Sequence, residues 1–139
     1  MFKRTTILCA AVAALSLGQP AGAQSDAVDG QEGLRIFFAS GSAQVASDQA
    51  ETLDQAARLF REGAPIVMIV AGGADTVGRP DRNLGLSVRR AQAVVDGLIA
   101  RGIPADRLQL VGLGNSDLPV ETGDGIDLRE NRVVEITWR

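Results

Sequence analysis

Residues 66–101 read IVMIVAGGADTVGRPDRNLGLSVRRAQAVVDGLIAR, and this stretch decides the fold. Ile66 to Ala71 is continuously apolar and rich in β-branched residues. Its shortness and its Gly and Pro flanks predict a strand buried on both faces. Gly72-Gly73 ends it, and Thr76 to Asp81 reads as a loop. Pro80 is well placed at the first position of a helix, where its missing N–H costs nothing. That helix is expected to run to about Arg101. Leu84, Val88, Ala91, Val95 and Leu98 recur at spacings of four and three, which predicts a buried stripe. Gly102 is a natural C-terminal cap, and Pro104 prevents continuation.

The same reading extends outward. Leu34 to Phe38 is a compact apolar run, broken only by Arg35, and predicts a strand. A Ser40-Gly41-Ser42 loop follows. Ser47 or Asp48 is placed to cap a helix reaching about Arg61, with Leu53, Ala56, Ala57 and Phe60 on one stripe. Gly63 and Pro65 stop it. Downstream, Leu108 to Val111 predicts a strand and Gly112 to Asp127 a long loop. Asn131 to Trp138 predicts a closing strand with Val134, Ile136 and Trp138 on one face. The order is βαβαββ. The simplest packing is an α+β two-layer sandwich, with one mixed sheet and both helices on one face.

The chain has 139 residues and 45 % apolar content, enough for one core. The N-terminus reads separately. Lys3 and Arg4 precede the apolar, uncharged run Thr5 to Leu17, then Gly18, Pro20 and the A-x-A pattern Ala21-Gly22-Ala23. This predicts a secretory signal peptide cut after Ala23, the run being too short to span a bilayer. Residues 24–33 read as a flexible lead-in and 34–139 as the domain.

Cleavage would remove Cys9 and Lys3, leaving a domain without cysteine whose basic residues are all arginine. Its twelve arginines against 17 acidic residues give a net charge of −5, which argues against sequence-independent nucleic-acid binding. Histidine and tyrosine are absent throughout. Ser-His-Asp and Cys-His catalysis are thereby excluded in their usual forms, and a zinc site without His or Cys would be unusual. Only a carboxylate-based enzyme is easy to write, such as a hydrolase pairing Asp75 with Asp117. Gly112-x-Gly114 lacks the third glycine of a dinucleotide fingerprint. The acidic stretch Glu121, Asp124, Asp127 and Glu130 fits no EF-hand spacing and reads as a solvated loop. No cofactor and no metal are expected.

Val70 to Ala91 (VAGGADTVGRPDRNLGLSVRRA) resembles the signature of the OmpA-like peptidoglycan-binding domain, found also in MotB-type stator proteins and Pal lipoproteins. The matching residues are Gly72, Asp75, Gly78, Asn83, Leu86, Ser87, Arg90 and Ala91. Phe38 to Val45 resembles the family's opening strand and loop, and Gly102-Ile103 its helix-ending glycine. Gly112-Leu113-Gly114 and Asn131-Arg132 with Val134-Glu135-Ile136 resemble its later motifs. The resemblance covers roughly residues 34–138, and its motifs occur in the right order on elements read independently.

The resemblance implies binding without catalysis, to the diaminopimelate of the peptidoglycan stem peptide. That residue carries a free ammonium and a free carboxylate on one carbon. Asp75, at the end of the central strand, suits the ammonium. Arg90, further along the following helix, suits the carboxylate because its rigid fork donates two parallel hydrogen bonds. Asn83, Thr76 and Leu86 complete the expected site, which lies beyond strand ends as ligands do in open α/β sheets. The chain departs from the family's pattern at three points. A His-Thr-Asp triplet is Gly73-Ala74-Asp75 here, a tyrosine is Arg82, and an Asn-Arg-Arg is Asn131-Arg132-Val133.

Plainer roles stand beside these. Asp75 could cap a turn, and Asn83 could simply start the helix. Ser87 is expected to bond backbone, Arg89 to be a solvated charge, and Arg132 to pair with an acid at the sheet edge. The expected location is the periplasm, wall- or outer-membrane-associated. Expected partners are the stem peptide and other cell-envelope proteins, with no nucleic acid and no transmembrane segment in the mature chain. The loss of the His-Thr pair motivates an alternative, a protein-interaction adaptor that has weakened or lost wall binding.

Overall fold

A computed structural model describes residues 33–63, 65 and 67–139. The expected signal peptide, nearly all of the lead-in, and Ile66 lie outside the described residues. Strand β1 (Leu34–Phe37) is followed by a 3-10 turn at Ser47–Gln49 and helix α1 (Ala50–Gly63). Then come β2 (Met68–Gly73), α2 (Pro80–Ala100), β3 (Leu108–Gly114) and β4 (Val133–Trp138). Ser47 and Asp48 lie in the 3-10 turn, which has no side-chain cap.

The sheet order is β1-β4-β2-β3. β4 runs antiparallel to both neighbours, pairing Ile36 with Val134 on one side and Val70 with Ile136 on the other. β2 and β3 are parallel. The closing strand therefore inserts between β1 and β2, which α1 connects. This is the α+β mixed sheet with two helices that the element order implied.

One face of the sheet carries the core. Ile36, Met68, Val70, Val134 and Ile136 are fully buried there, under Leu53, Ala56 and Ala57 of α1 and Ala91, Val94 and Leu98 of α2. α2 lies very close to the sheet at the end of β2. A Cβ at Gly72 would stand 2.1 Å from the Ser87 carbonyl oxygen, so only glycine permits this approach. Gly102, at φ +93°, ends α2 in the left-handed conformation expected of a helix-terminating glycine.

Two expectations are corrected. The buried face of α2 runs through Asn83, Ser87, Arg90, Ala91, Val94, Val95 and Leu98. Leu84 and Val88 are instead 49 % and 39 % exposed. In the first half of the helix polar side chains face the sheet, because each finds a hydrogen-bonding partner there; hydropathy periodicity cannot register that. Second, β3 continues to Gly114, three residues into the expected loop. A register shift between Gly72 and Gly73 lets Gly73 pair with Gly114, and the Gly114 carbonyl accepts a 2.8 Å bond from the Ala74 N–H.

Candidate functional site

The parallel strands β2 and β3 both point their C-terminal ends toward the start of α2, and the chain reverses there through residues 74–79. Asp75 is the second residue beyond β2. Its Oδ1 accepts a 3.2 Å bond from the Val77 N–H, so it does cap its turn. Its Oδ2 lies 3.3 Å from an Arg132 guanidinium nitrogen. Both side chains are largely buried. Arg132 also donates to the Phe38 carbonyl at 2.9 Å and pairs closely with Asp127 at the rim. The acid-pairing role expected for Arg132 thus falls on the proposed site acid itself.

Arg90 lies one layer beneath. Its Nε donates to the Ser42 carbonyl at 2.8 Å, and its two terminal nitrogens donate to the carbonyls of Gly73 and Ala39 at 3.1 Å each. The guanidinium also lies 5.4 Å from the Phe38 ring centre, and the residue is only 1 % exposed. Burial lowers its pKa to about 10; neighbouring Arg132 and Arg89 act in the same direction, while Asp75 opposes them. Among the described residues Arg90 forms no ion pair. Asp75 and Arg90 therefore occupy the same end of the fold without touching as a salt bridge. What Arg90 does locally is tie the residue 39–42 segment to the end of β2.

The other expected residues separate. Asn83 is buried and donates to the Asp75 carbonyl at 3.1 Å, fixing the turn. The Thr76 hydroxyl turns away into the 122–126 loop, where it donates to the Gly123 carbonyl at 2.7 Å and accepts from the Ile126 N–H at 3.0 Å. Ser87 bonds backbone as expected: it donates to the Leu84 carbonyl at 2.7 Å and accepts from the Gly114 N–H at 2.8 Å, pinning α2 to β3. Asn131, which the sequence reading treated only as part of a motif, clamps Val120 through both its amide N and O.

An open cleft of about 220 Å³ sits over this turn. Ser40 and Gly41 form one wall, and Asp75, Val77 and Gly78 form its floor and lip. Arg82, Asn83, Leu86 and Arg89 of α2 form the other wall. Asp75, Asn83 and Leu86 thus meet in one cleft, whereas Thr76 and Arg90 do not line it. Arg82, read from sequence only as the replacement of a family tyrosine, and Arg89, read as a solvated charge, fall with Leu86 at i, i+4 and i+7 on one face of α2. Asp117 lines a different hollow of about 200 Å³ on the helix-free face of the sheet, with Ala71, Gly73, Leu113 and Val133. It shares no cleft with Asp75, which removes the two-carboxylate pairing. Among the described residues no three His, Cys, Asp or Glu side chains gather as a metal site. No described helix is long and apolar enough to cross a membrane.

Comparison with known proteins agrees with this architecture. The chain is 35 % identical over 94 residues to a peptidoglycan-associated lipoprotein of Rhizobium meliloti (strain 1021), covering 68 % of this chain and 53 % of that protein. It is 46 % identical over 69 residues to outer membrane protein A of Escherichia fergusonii, covering 50 % of this chain and 28 % of that one. The chain thus spans about half the length, or less, of these curated relatives. Among solved structures, the peptidoglycan-associated lipoprotein of Burkholderia pseudomallei superposes with a TM-score of 0.70 at 23 % identity, over 76 % of this chain and 89 % of that one. The C-terminal domain of Helicobacter pylori MotB gives 0.65 at 20 %, over 79 % and 85 %. At such identities these structures speak for the fold. Residues 37–132 match the OmpA family, and the chain belongs to it.

Proposed function

We propose that this domain binds peptidoglycan non-covalently in the bacterial envelope, as an exported, periplasmic, wall- or outer-membrane-associated protein, and that it is not an enzyme. The observation that carries the reading is the cleft at the C-terminal end of β2, which presents a carboxylate fixed by its own turn beside arginine side chains. The relatives named for peptidoglycan association support it. In the finer reading, Asp75 accepts hydrogen bonds from the ammonium of diaminopimelate. Arg90 acts from beneath. It holds the Ser40–Gly41 wall in place and keeps a positive charge behind it, on the side where the neighbouring carboxylate settles. Asn83 keeps the Asp75 turn in register, Leu86 offers an apolar contact, and Thr76 fixes the loop behind. No cofactor takes part.

The test is co-sedimentation of the protein with purified sacculi. The wild type is expected in the pellet, and Asp75→Asn, which keeps the shape but removes the charge, in the supernatant. Equal sedimentation of both proteins would sink the reading. The adaptor alternative has one observation in its favour, the hollow on the helix-free sheet face. It predicts that the wild type fails to pellet with sacculi and that substitutions at Leu113 or Val133 abolish binding of a protein partner.

A further inference from the structure

The charge balance of the cleft carries an inference that rests on the reading above and deepens it. Asp75, the single carboxylate lining the cleft, already faces Arg132. On the opposite wall, Arg82 and Arg89 are both exposed, and neither forms an ion pair or hydrogen bond among the described residues. The one acidic side chain in the first turn of α2, Asp81, pairs with Arg79 at 3.3 Å instead. A chain with more acids than bases thus carries two uncompensated guanidiniums on one wall of its cleft.

Their placement is ordered. Arg82 and Arg89 lie seven residues apart on α2 with Leu86 between them, about 10 Å along the axis. Arg89 folds back over Gly85, one guanidinium nitrogen 3.4 Å from where that residue's Cβ would stand. Arg82 also belongs to the first turn of a 21-residue helix, where the backbone dipole favours an anion.

We infer that Arg82 and Arg89 form a second anion subsite, which takes a carboxylate of the stem peptide other than the one on the diaminopimelate amino-acid carbon. The α-carboxylate of the adjoining γ-linked glutamate is the group of matching chemistry. The domain then selects wall peptides in which that carboxylate is free over those in which it is amidated. Arginine suits this task because it stays charged and donates in a planar fork.

The experiment is calorimetric titration of the full protein with two synthetic tripeptides, L-Ala-γ-D-Glu-diaminopimelate and its glutamyl α-amide. The wild type should prefer the free acid by about tenfold, the size expected of two exposed charge-assisted contacts. An Arg82→Ala/Arg89→Ala variant should bind the two within about twofold of each other. Arg58→Ala, which removes an exposed cation from α1, should keep the preference. An unfolding midpoint matching wild type verifies that the double variant is folded. Discrimination that survives in the double variant, or is absent in the wild type while both peptides bind, overturns the second subsite and leaves the wall-binding reading standing. Failure of the wild type to bind either tripeptide or sacculi overturns both.

Discussion

Asp75 and Arg132 meet at 3.3 Å although 57 residues separate them, and this contact organises the cleft. It gives the site acid a counter-charge before any ligand arrives and ties the turn after β2 to the start of β4. A cation entering the cleft therefore meets a carboxylate already held in one orientation, so little of its attraction is spent on ordering the side chain. The layer beneath, Arg90 on three carbonyls, fixes the facing wall in the same way.

Arg90→Ala should destabilise the domain by about 3–5 kcal/mol, because it leaves the carbonyls of Ala39, Ser42 and Gly73 without their donor. Arg90→Lys should recover little of this, since one ammonium cannot span three divergent acceptors. Urea unfolding measures both. A loss under about 1 kcal/mol for Arg90→Ala would show that Arg90 does not hold the 39–42 wall.

Gly72→Ala should cost about 2 kcal/mol or more. The added methyl would stand 2.1 Å from the Ser87 carbonyl, so α2 must lift from β2. Because α2 carries one wall of the cleft, sacculus binding should fall with stability. Thermal unfolding and co-sedimentation of the same preparation check the pair of effects.

Thr76→Val removes a hydroxyl that donates to Gly123 and accepts from Ile126. The expected loss is about 1–3 kcal/mol. Amide exchange at Ile126 should accelerate while exchange in the core of α2, at Val94 and Leu98, slows or speeds only with global stability. Unchanged protection at Ile126 would contradict the tie.

Stability should be flat between about pH 6 and 9. The chain has no histidine or tyrosine, and its lone lysine and cysteine lie at positions 3 and 9. Burial displaces the Arg90 pKa down to about 10. For a base with a lowered folded pKa, the unfolded chain holds its proton to higher pH. Its effect on stability would therefore enter only above about pH 10, as a gain. Urea midpoints across pH 6–9 check this, and a titration step inside the window would contradict it.

Much of the fold was legible because its signals are local. Pro80 opens α2, Gly102 closes it, and the apolar run into β2 is read from neighbours in sequence. Asp75, Asn83 and Leu86 were legible as site residues only through the motif that resembles the OmpA-like signature, and all three line the cleft. The role of Arg90 was not, since its acceptors lie at positions 39, 42 and 73 and only the folded sheet brings them together. The α2 stripe was misread for the same reason. Asn83, Ser87 and Arg90 are buried by virtue of distant backbone partners, and a hydropathy pattern treats such residues as solvent-facing. Thr76 was placed in the cleft by its neighbour Asp75, whereas its hydroxyl is claimed by a loop 46 to 50 residues away.

The central claim is that the stem peptide lies over the Asp75 turn. It is tested most directly by titrating the isotopically labelled protein with the L-Ala-γ-D-Glu-diaminopimelate tripeptide and following backbone amide shifts. The account predicts saturable shifts clustered at Gly41, Asp75, Val77, Gly78, Asn83 and Leu86. Shifts concentrated at Ala71, Leu113 and Val133 on the helix-free face, or no saturable shifts at all, would contradict it.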